Sequence, residues 1–193
     1  MRYLNKIVFI NSAAIRYSEV QLDGNIHLIG TQGVGKSTIL RAILFFYNAD
    51  TQRLGIPVEK KSYQDYYFPY ADSSIIYEVA REDGWFTVLS YKTMNRICYR
   101  FIASPYRPDL FIDEEGAPYP SDRIRSVLDK NGIKYSGAIS TYEEYRNILY
   151  GNSDNKRDYS CYSLMESGSY QNIIRTIPNV LLNSRLEADY IKQ

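Results

Sequence analysis

Short apolar runs separated by turn residues dominate the first part of the chain. Residues 1–29 read as short strands, and Asp23-Gly24-Asn25 between the runs 18–22 and 26–29 is a strong hairpin signal. The run 36–47, KSTILRAILFFY, is apolar on nearly every side. That pattern predicts a helix buried between layers and packed under a sheet. Residues 48–73 carry Gly55, Pro57 and Pro69 as breakers and read as irregular. Three strand-like runs follow, 74–79, 85–92 and 97–103, with turns at Gly84 and Met94-Asn95. They predict an antiparallel meander, and 110–112 reads as a further short strand.

Helical spacing returns in the second half. Ile124, Val127 and Leu128 predict a helix over 121–130, with Ser121 as its cap and Gly132 just past its end. Thr141-Tyr142-Glu143-Glu144 is a capping box that opens a second helix, stopping near Gly151. Residues 152–158 are polar and read as a loop, 161–165 as a short strand, and 171–182 as a helix that Pro178 interrupts. Ser184-Arg185-Leu186-Glu187 is another capping box, after which 187–193 reads as helical. The chain stops barely two turns into that helix, which suggests a cut within a longer protein.

The 193 residues suit one large domain, and a hydrophobic content of 45% is ordinary for a soluble globular protein. A net charge of +1 supplies no overall field towards nucleic acid or membrane. Cys98 and Cys161 stand far apart and outside any metal-ligand spacing, which fits a reducing compartment without a disulfide framework. The apolar run Ile7-Val8-Phe9-Ile10 is shorter than the roughly 7–15 residues of an export signal. These features predict a cytoplasmic protein. Its 20 tyrosines fit half-buried strands better than base stacking.

Gly30-Thr31-Gln32-Gly33-Val34-Gly35-Lys36-Ser37 satisfies G-x4-G-K-[ST] in full, between a short apolar strand and a long apolar helix. Glycines let such a loop fold into a nest of inward N–H groups that cradle phosphate oxygens, and the helix N-terminus adds partial positive charge. In this pattern Lys36 reaches the β- and γ-phosphates, Ser37 ligates Mg²⁺, and Thr38 touches the α-phosphate through its N–H or hydroxyl. The segment predicts binding of a nucleoside triphosphate with Mg²⁺. A glycine-rich turn that happens to fit is the plain alternative.

Hydrolysis also needs a carboxylate. Leu110-Phe111-Ile112-Asp113-Glu114 has the outline of a strand ending in Asp-Glu, which nominates Asp113 and Glu114 as catalytic candidates. Pro108 and Asp109 before the run, and Glu115-Gly116-Ala117-Pro118 after it, favour a solvated hairpin. Asp113 to Gly116 also spells D-x-x-G, and Asn155-Lys156-Arg157-Asp158 spells N-K-x-D; together with the glycine-rich motif they resemble the set of guanine-nucleotide-binding proteins, in which the N-K-x-D aspartate meets the guanine ring. Here N-K-x-D follows loop sequence and not a buried strand. His27, in the strand feeding the glycine loop, reads as a packed strand residue, and Arg53, Lys60 and Lys61 as a solvated charged loop.

The hairpin followed by GTQGVGKSTILRAILFFY resembles the N-terminal head lobe of SMC-like ATPases, members of the ABC class. Lys61-Ser62-Tyr63-Gln64-Asp65-Tyr66-Tyr67-Phe68-Pro69, the run SIIYEV at 74–79, and Leu181-Leu182-Asn183-Ser184-Arg185-Leu186 with Ile191-Lys192 are similar to the MukB-like and Wadjet-type branch. The resemblance implies an α/β P-loop fold, a mixed sheet with an antiparallel portion and flanking helices. Residues 1–193 would form a single lobe whose coiled coil begins near 186–193. It also implies that the signature motif lies in a separate C-terminal lobe; Ser167-Gly168-Ser169 is off-pattern for it.

ATP would then be sandwiched between two heads in DNA or chromosome organisation or plasmid defence. Partners would be the C-terminal lobe, a second head and, through the full complex, DNA, with no membrane, and the lobe alone would hydrolyse ATP poorly or not at all. By the same resemblance Gln171 is a candidate Mg²⁺ contact, and Arg16 and Tyr17 are candidates to cover the adenine. A self-contained P-loop enzyme, a GTPase or kinase using Asp113 with Mg²⁺, and a non-catalytic nucleotide-binding module are the alternative expectations.

Overall fold

A strand hydrogen-bonded on both sides and covered on both faces needs apolar side chains at successive positions, as Ile7-Val8-Phe9-Ile10 provides. In the computed structural model, which describes residues 2–23, 35–51, 54, 56, 61–94 and 96–164, this run lies in β1 (Tyr3–Ser12). β1 pairs antiparallel with β2 (Ile15–Gln21) on one side and β3 (Ser74–Arg81) on the other. β3 continues into β4 (Gly84–Thr93) and β5 (Arg96–Ile102), giving a sheet of order β2-β1-β3-β4-β5. The predicted meander is present, with its strand ends displaced by one or two residues.

Strand alternation divides the sheet's side chains between two cores. Ile7, Phe9, Ile75, Tyr77, Val88 and Phe101 feed the first, and Val8, Ile10, Ile76, Leu89 and Ile102 the second. The first face is covered by α1 (Lys36–Asn48), α2 (Tyr63–Tyr67) and α4 (Tyr142–Leu149), through Phe45, Phe46, Tyr63, Tyr67, Tyr145 and Ile148. The second face is covered by α3 (Ser121–Lys130), through Ile124 and Leu128, and by Leu110 and Phe111. Phe45 and Phe46 are fully buried, each contributing about 1.5–3 kcal/mol of transfer free energy. They anchor α1 on the sheet, Phe45 against Tyr99 and Phe46 against Tyr77.

Several sequence expectations change. Residues 18–21 belong to β2, whose described partner is β1 across a turn near Asn11–Ala14; 26–29 lie outside the described residues. That turn carries no glycine: Asn11 and Ala13 take positive φ instead. Residues 48–73 are not wholly irregular, because Ser62 caps α2 by accepting from the Asp65 N–H. Residues 110–112 do not form a strand. Pro108–Leu110 is a 3-10 turn, and Ile112 makes only an isolated bridge to Pro118.

Residues 161–164 are likewise not a strand: Ser160–Tyr162 is a 3-10 turn that follows α5 (Lys156–Tyr159), within what was expected to be loop. Tyr162 faces the first core, and the Leu164 N–H bonds the Leu149 carbonyl, so this segment closes against α4 instead of joining the sheet. α3 spans 121–130 as predicted, but Ser121 is its first residue and Pro120 occupies the cap position. Thr141 caps α4 by accepting from the Glu144 N–H.

All described strand pairings are antiparallel, so of the mixed sheet expected from the sequence the described residues contain the antiparallel portion. Among them no helix is long and apolar enough to cross a membrane. The expected helices at 171–182 and 187–193 lie outside the described residues.

Candidate functional site

α1 begins directly at the lysine of the glycine-rich motif. Gly35, just before it, sits in the left-handed region (φ 85°, ψ 2°), and a Cβ there would meet no atom within 4 Å. Open space with positive φ means the glycine is required by backbone conformation and not by crowding. The Gly35 carbonyl accepts from both Thr38 N (3.0 Å) and Ile39 N (3.1 Å), a tight first turn. No side chain caps this end and its first turn holds no acidic residue. The positive end of a 13-residue helix therefore carries no carboxylate of its own. Lys36 is half-buried and Ser37 is exposed at this end.

A second element locks the same turn. α2 stacks Tyr63 on Phe45 (4.4 Å between centroids) and on Tyr67 (4.1 Å), burying both tyrosines. The Tyr67 hydroxyl then donates to the Thr38 carbonyl (2.7 Å), and the Tyr66 hydroxyl lies 3.2 Å from Thr38 Oγ1. Burial pushes the Tyr67 phenol well above its ordinary range, with the nearby Arg41 opposing, so it remains a proton donor at neutral pH.

Three more hydroxyls hold the rest of α1. Tyr77 donates to the Ala42 carbonyl (3.0 Å), Tyr145 to the Phe46 carbonyl (2.6 Å) and Tyr150 to the Tyr47 carbonyl (2.5 Å). Four of the 20 tyrosines thus clamp the backbone of the helix that opens at Lys36. Sequence reading missed Tyr66 and Tyr67. The Ser62-x-x-Asp65 cap was the local signal for a helix there, but the contact to Thr38 spans 28 residues.

Gly30, Thr31, Gln32, Gly33, Val34, His27, Arg53, Lys60 and Gln171 lie outside the described residues. Asp113 is not beside α1. Its Oδ1 accepts from Glu115 N (3.0 Å) and Ala117 N (2.8 Å), closing the hairpin between Phe111 and Tyr119, with Glu114 exposed at the tip. Phe111 packs in the second core, so this hairpin covers the face of the sheet opposite α1.

Tyr17 and Arg16 point to different faces. Tyr17 bonds Glu19 (2.6 Å) and Tyr106 (2.9 Å) on the second face, while strand alternation puts Arg16 on the α1 face with Ser18 and Val20. The N-K-x-D segment is no strand end, since Lys156–Tyr159 is a helical turn and Asn155 Nδ2 donates to Asp158 Oδ2 (2.8 Å). No group of three or more His, Cys, Asp or Glu among the described residues could hold a metal ion.

A family model described as "Protein of unknown function (DUF3584)" matches residues 11–173, a span that includes the glycine-rich motif, α1 and the tyrosines that clamp it. No curated protein and no solved structure matches the chain.

Proposed function

The chain belongs to the family of proteins of unknown function DUF3584, and from that premise we propose that it is the ATP-binding lobe of an SMC-like ATPase. The observation that carries the reading is the uncapped start of α1. G-x4-G-K-S runs directly into a helix whose positive end has no acid in its first turn, behind a left-handed Gly35 with open space beside it. These features fit a polyphosphate. Lys36 would neutralise the terminal phosphates and the Ser37 hydroxyl would hold Mg²⁺; bound Mg²⁺ would screen the phosphate charge. The Thr38 N–H is engaged by the Gly35 carbonyl, so a contact from this residue would come from its hydroxyl, which lies 3.2 Å from that of Tyr66.

The described residues favour binding over self-contained hydrolysis. Asp113 serves a turn on the far face of the sheet, and α1's first turn holds no carboxylate. A carboxylate for water activation would come from elsewhere, in keeping with a head completed by a second lobe and paired with a second head. The GTPase alternative is weakened by the same placement and by the helical turn at Lys156–Tyr159. In this reading the protein is cytoplasmic and works with DNA through the complete assembly.

The test is calorimetric titration with Mg-ATP, Mg-GTP and the Lys36→Ala variant. The proposal requires saturable ATP binding that Lys36→Ala abolishes, with no turnover by the chain alone. Equal binding by wild type and Lys36→Ala would refute it, and tighter GTP than ATP binding together with turnover lost in Asp113→Ala would replace it with the enzyme reading.

A further inference from the structure

Tyr66 stands out within α2 because packing does not account for it. Its neighbours Tyr63 and Tyr67 are 2% and 1% exposed and dock the helix, whereas Tyr66 is 40% exposed, its ring edge-on to Tyr67 at 5.0 Å. Its hydroxyl is nevertheless held at the first turn of α1, 3.2 Å from Thr38 Oγ1. Tyr67 already ties α2 to that turn through the Thr38 carbonyl, so the Tyr66 hydroxyl adds little to docking. The two hydroxyls stand side by side at the uncapped, acid-free end of the helix.

Resting on the nucleotide-binding reading above, we propose that Tyr66 is a further phosphate-contacting residue of this site, donating its phenolic proton to an oxygen of the α-phosphate beside Thr38. Each of the two hydroxyls carries one proton, so on binding their mutual bond gives way, and a phosphate oxygen accepting from Thr38 Oγ1 would lie about 4–5 Å from the Tyr66 hydroxyl. A second oxygen of the same phosphate then falls within reach. A phenol suits this place: it donates to an anion without adding charge, and its rigid ring fixes the direction of the bond. No sequence motif marks it.

Binding of Mg-ATP and of inorganic tripolyphosphate would be measured by calorimetry for wild type, Tyr66→Phe, Thr38→Val and the double variant, with Lys36→Ala as the control for the site. Loss of one hydrogen bond to a charged acceptor weakens binding by about tenfold or more. Tyr66→Phe should weaken both ligands by that factor at unchanged melting temperature, and should weaken them again in the Thr38→Val background. Unchanged affinity in Tyr66→Phe overturns the proposal while leaving the nucleotide site intact. An effect that vanishes in Thr38→Val also overturns it, since Tyr66 would then act only by holding Thr38. Equal binding by wild type and Lys36→Ala, or none by wild type, removes the site itself.

Discussion

The hydroxyl clamp on α1 gives two substitutions that look alike in sequence and differ in energy. Tyr77→Phe and Tyr145→Phe each delete one buried hydroxyl and keep the ring in the core. Tyr77 bonds the carbonyl of Ala42, in the middle of the helix, where the N–H four residues on is already an intrahelical partner. Losing a second donor to that oxygen costs about 0.5–1 kcal/mol. Tyr145 bonds the carbonyl of Phe46, in the last turn of a helix ending at Asn48, where intrahelical donors run out. Deleting that hydroxyl strips a buried carbonyl of its partner and costs about 1–3 kcal/mol.

Urea unfolding followed by far-ultraviolet circular dichroism would separate the two. Tyr145→Phe should lose roughly twice the stability of Tyr77→Phe at an unchanged denaturant slope. In thermal melts the larger loss corresponds to a fall of about 2–4 °C per kcal/mol for a chain of this size. Equal costs, or a larger cost at Tyr77, would refute the assignment of Tyr145 as the cap of α1.

Gly35→Ala should destabilise the chain by about 1–2 kcal/mol, because a side chain at φ 85° pays the left-handed penalty even though nothing crowds it; no loss in a denaturation curve would contradict that backbone reading. Asp113→Ala should cost about 1 kcal/mol through its two turn hydrogen bonds and leave Mg-ATP affinity unchanged; altered affinity by calorimetry would contradict its place on the far face. Burial holds the Tyr63, Tyr77 and Tyr145 phenols well above their ordinary value of 10.0. A raised folded-state pKa gives stability that is complete below about pH 10 and is lost as pH rises above it. Tyrosinate absorbance from these residues should therefore appear together with loss of circular dichroism, and full ionisation with the fold intact would contradict their burial.

The parts of the fold that were legible in the sequence carry local signals. β3, β4 and β5 alternate between glycine and asparagine turns, α3 has its apolar spacing, and α4 has the Thr141–Glu144 cap. The illegible parts depend on contacts made at a distance. The β1–β2 turn uses positive φ at Asn11, a residue type that tolerates it, and at Ala13, which no composition rule marks. α2 is five residues long, too short for a helical period, and is held by stacking on Phe45. Residues 110–112 have strand-like composition, but Pro108 starts a 3-10 turn there.

The site divides in the same way. Lys36, Ser37 and Thr38 follow from a motif, because glycine conformation and helix start are local properties. Which face of the sheet holds Asp113, and that Tyr66 meets Thr38, depends on how layers stack. An apolar run ending in Asp-Glu looks the same on either face.

The most direct measurement is a crystal structure of the protein with Mg²⁺ and a non-hydrolysable ATP analogue. The triphosphate should lie on the N-terminus of α1, with Lys36 Nζ on its terminal phosphates, Mg²⁺ on Ser37 Oγ and the Tyr66 hydroxyl within hydrogen-bonding distance of the α-phosphate. A well-ordered nucleotide bound elsewhere, with the start of α1 uncontacted, would contradict the account.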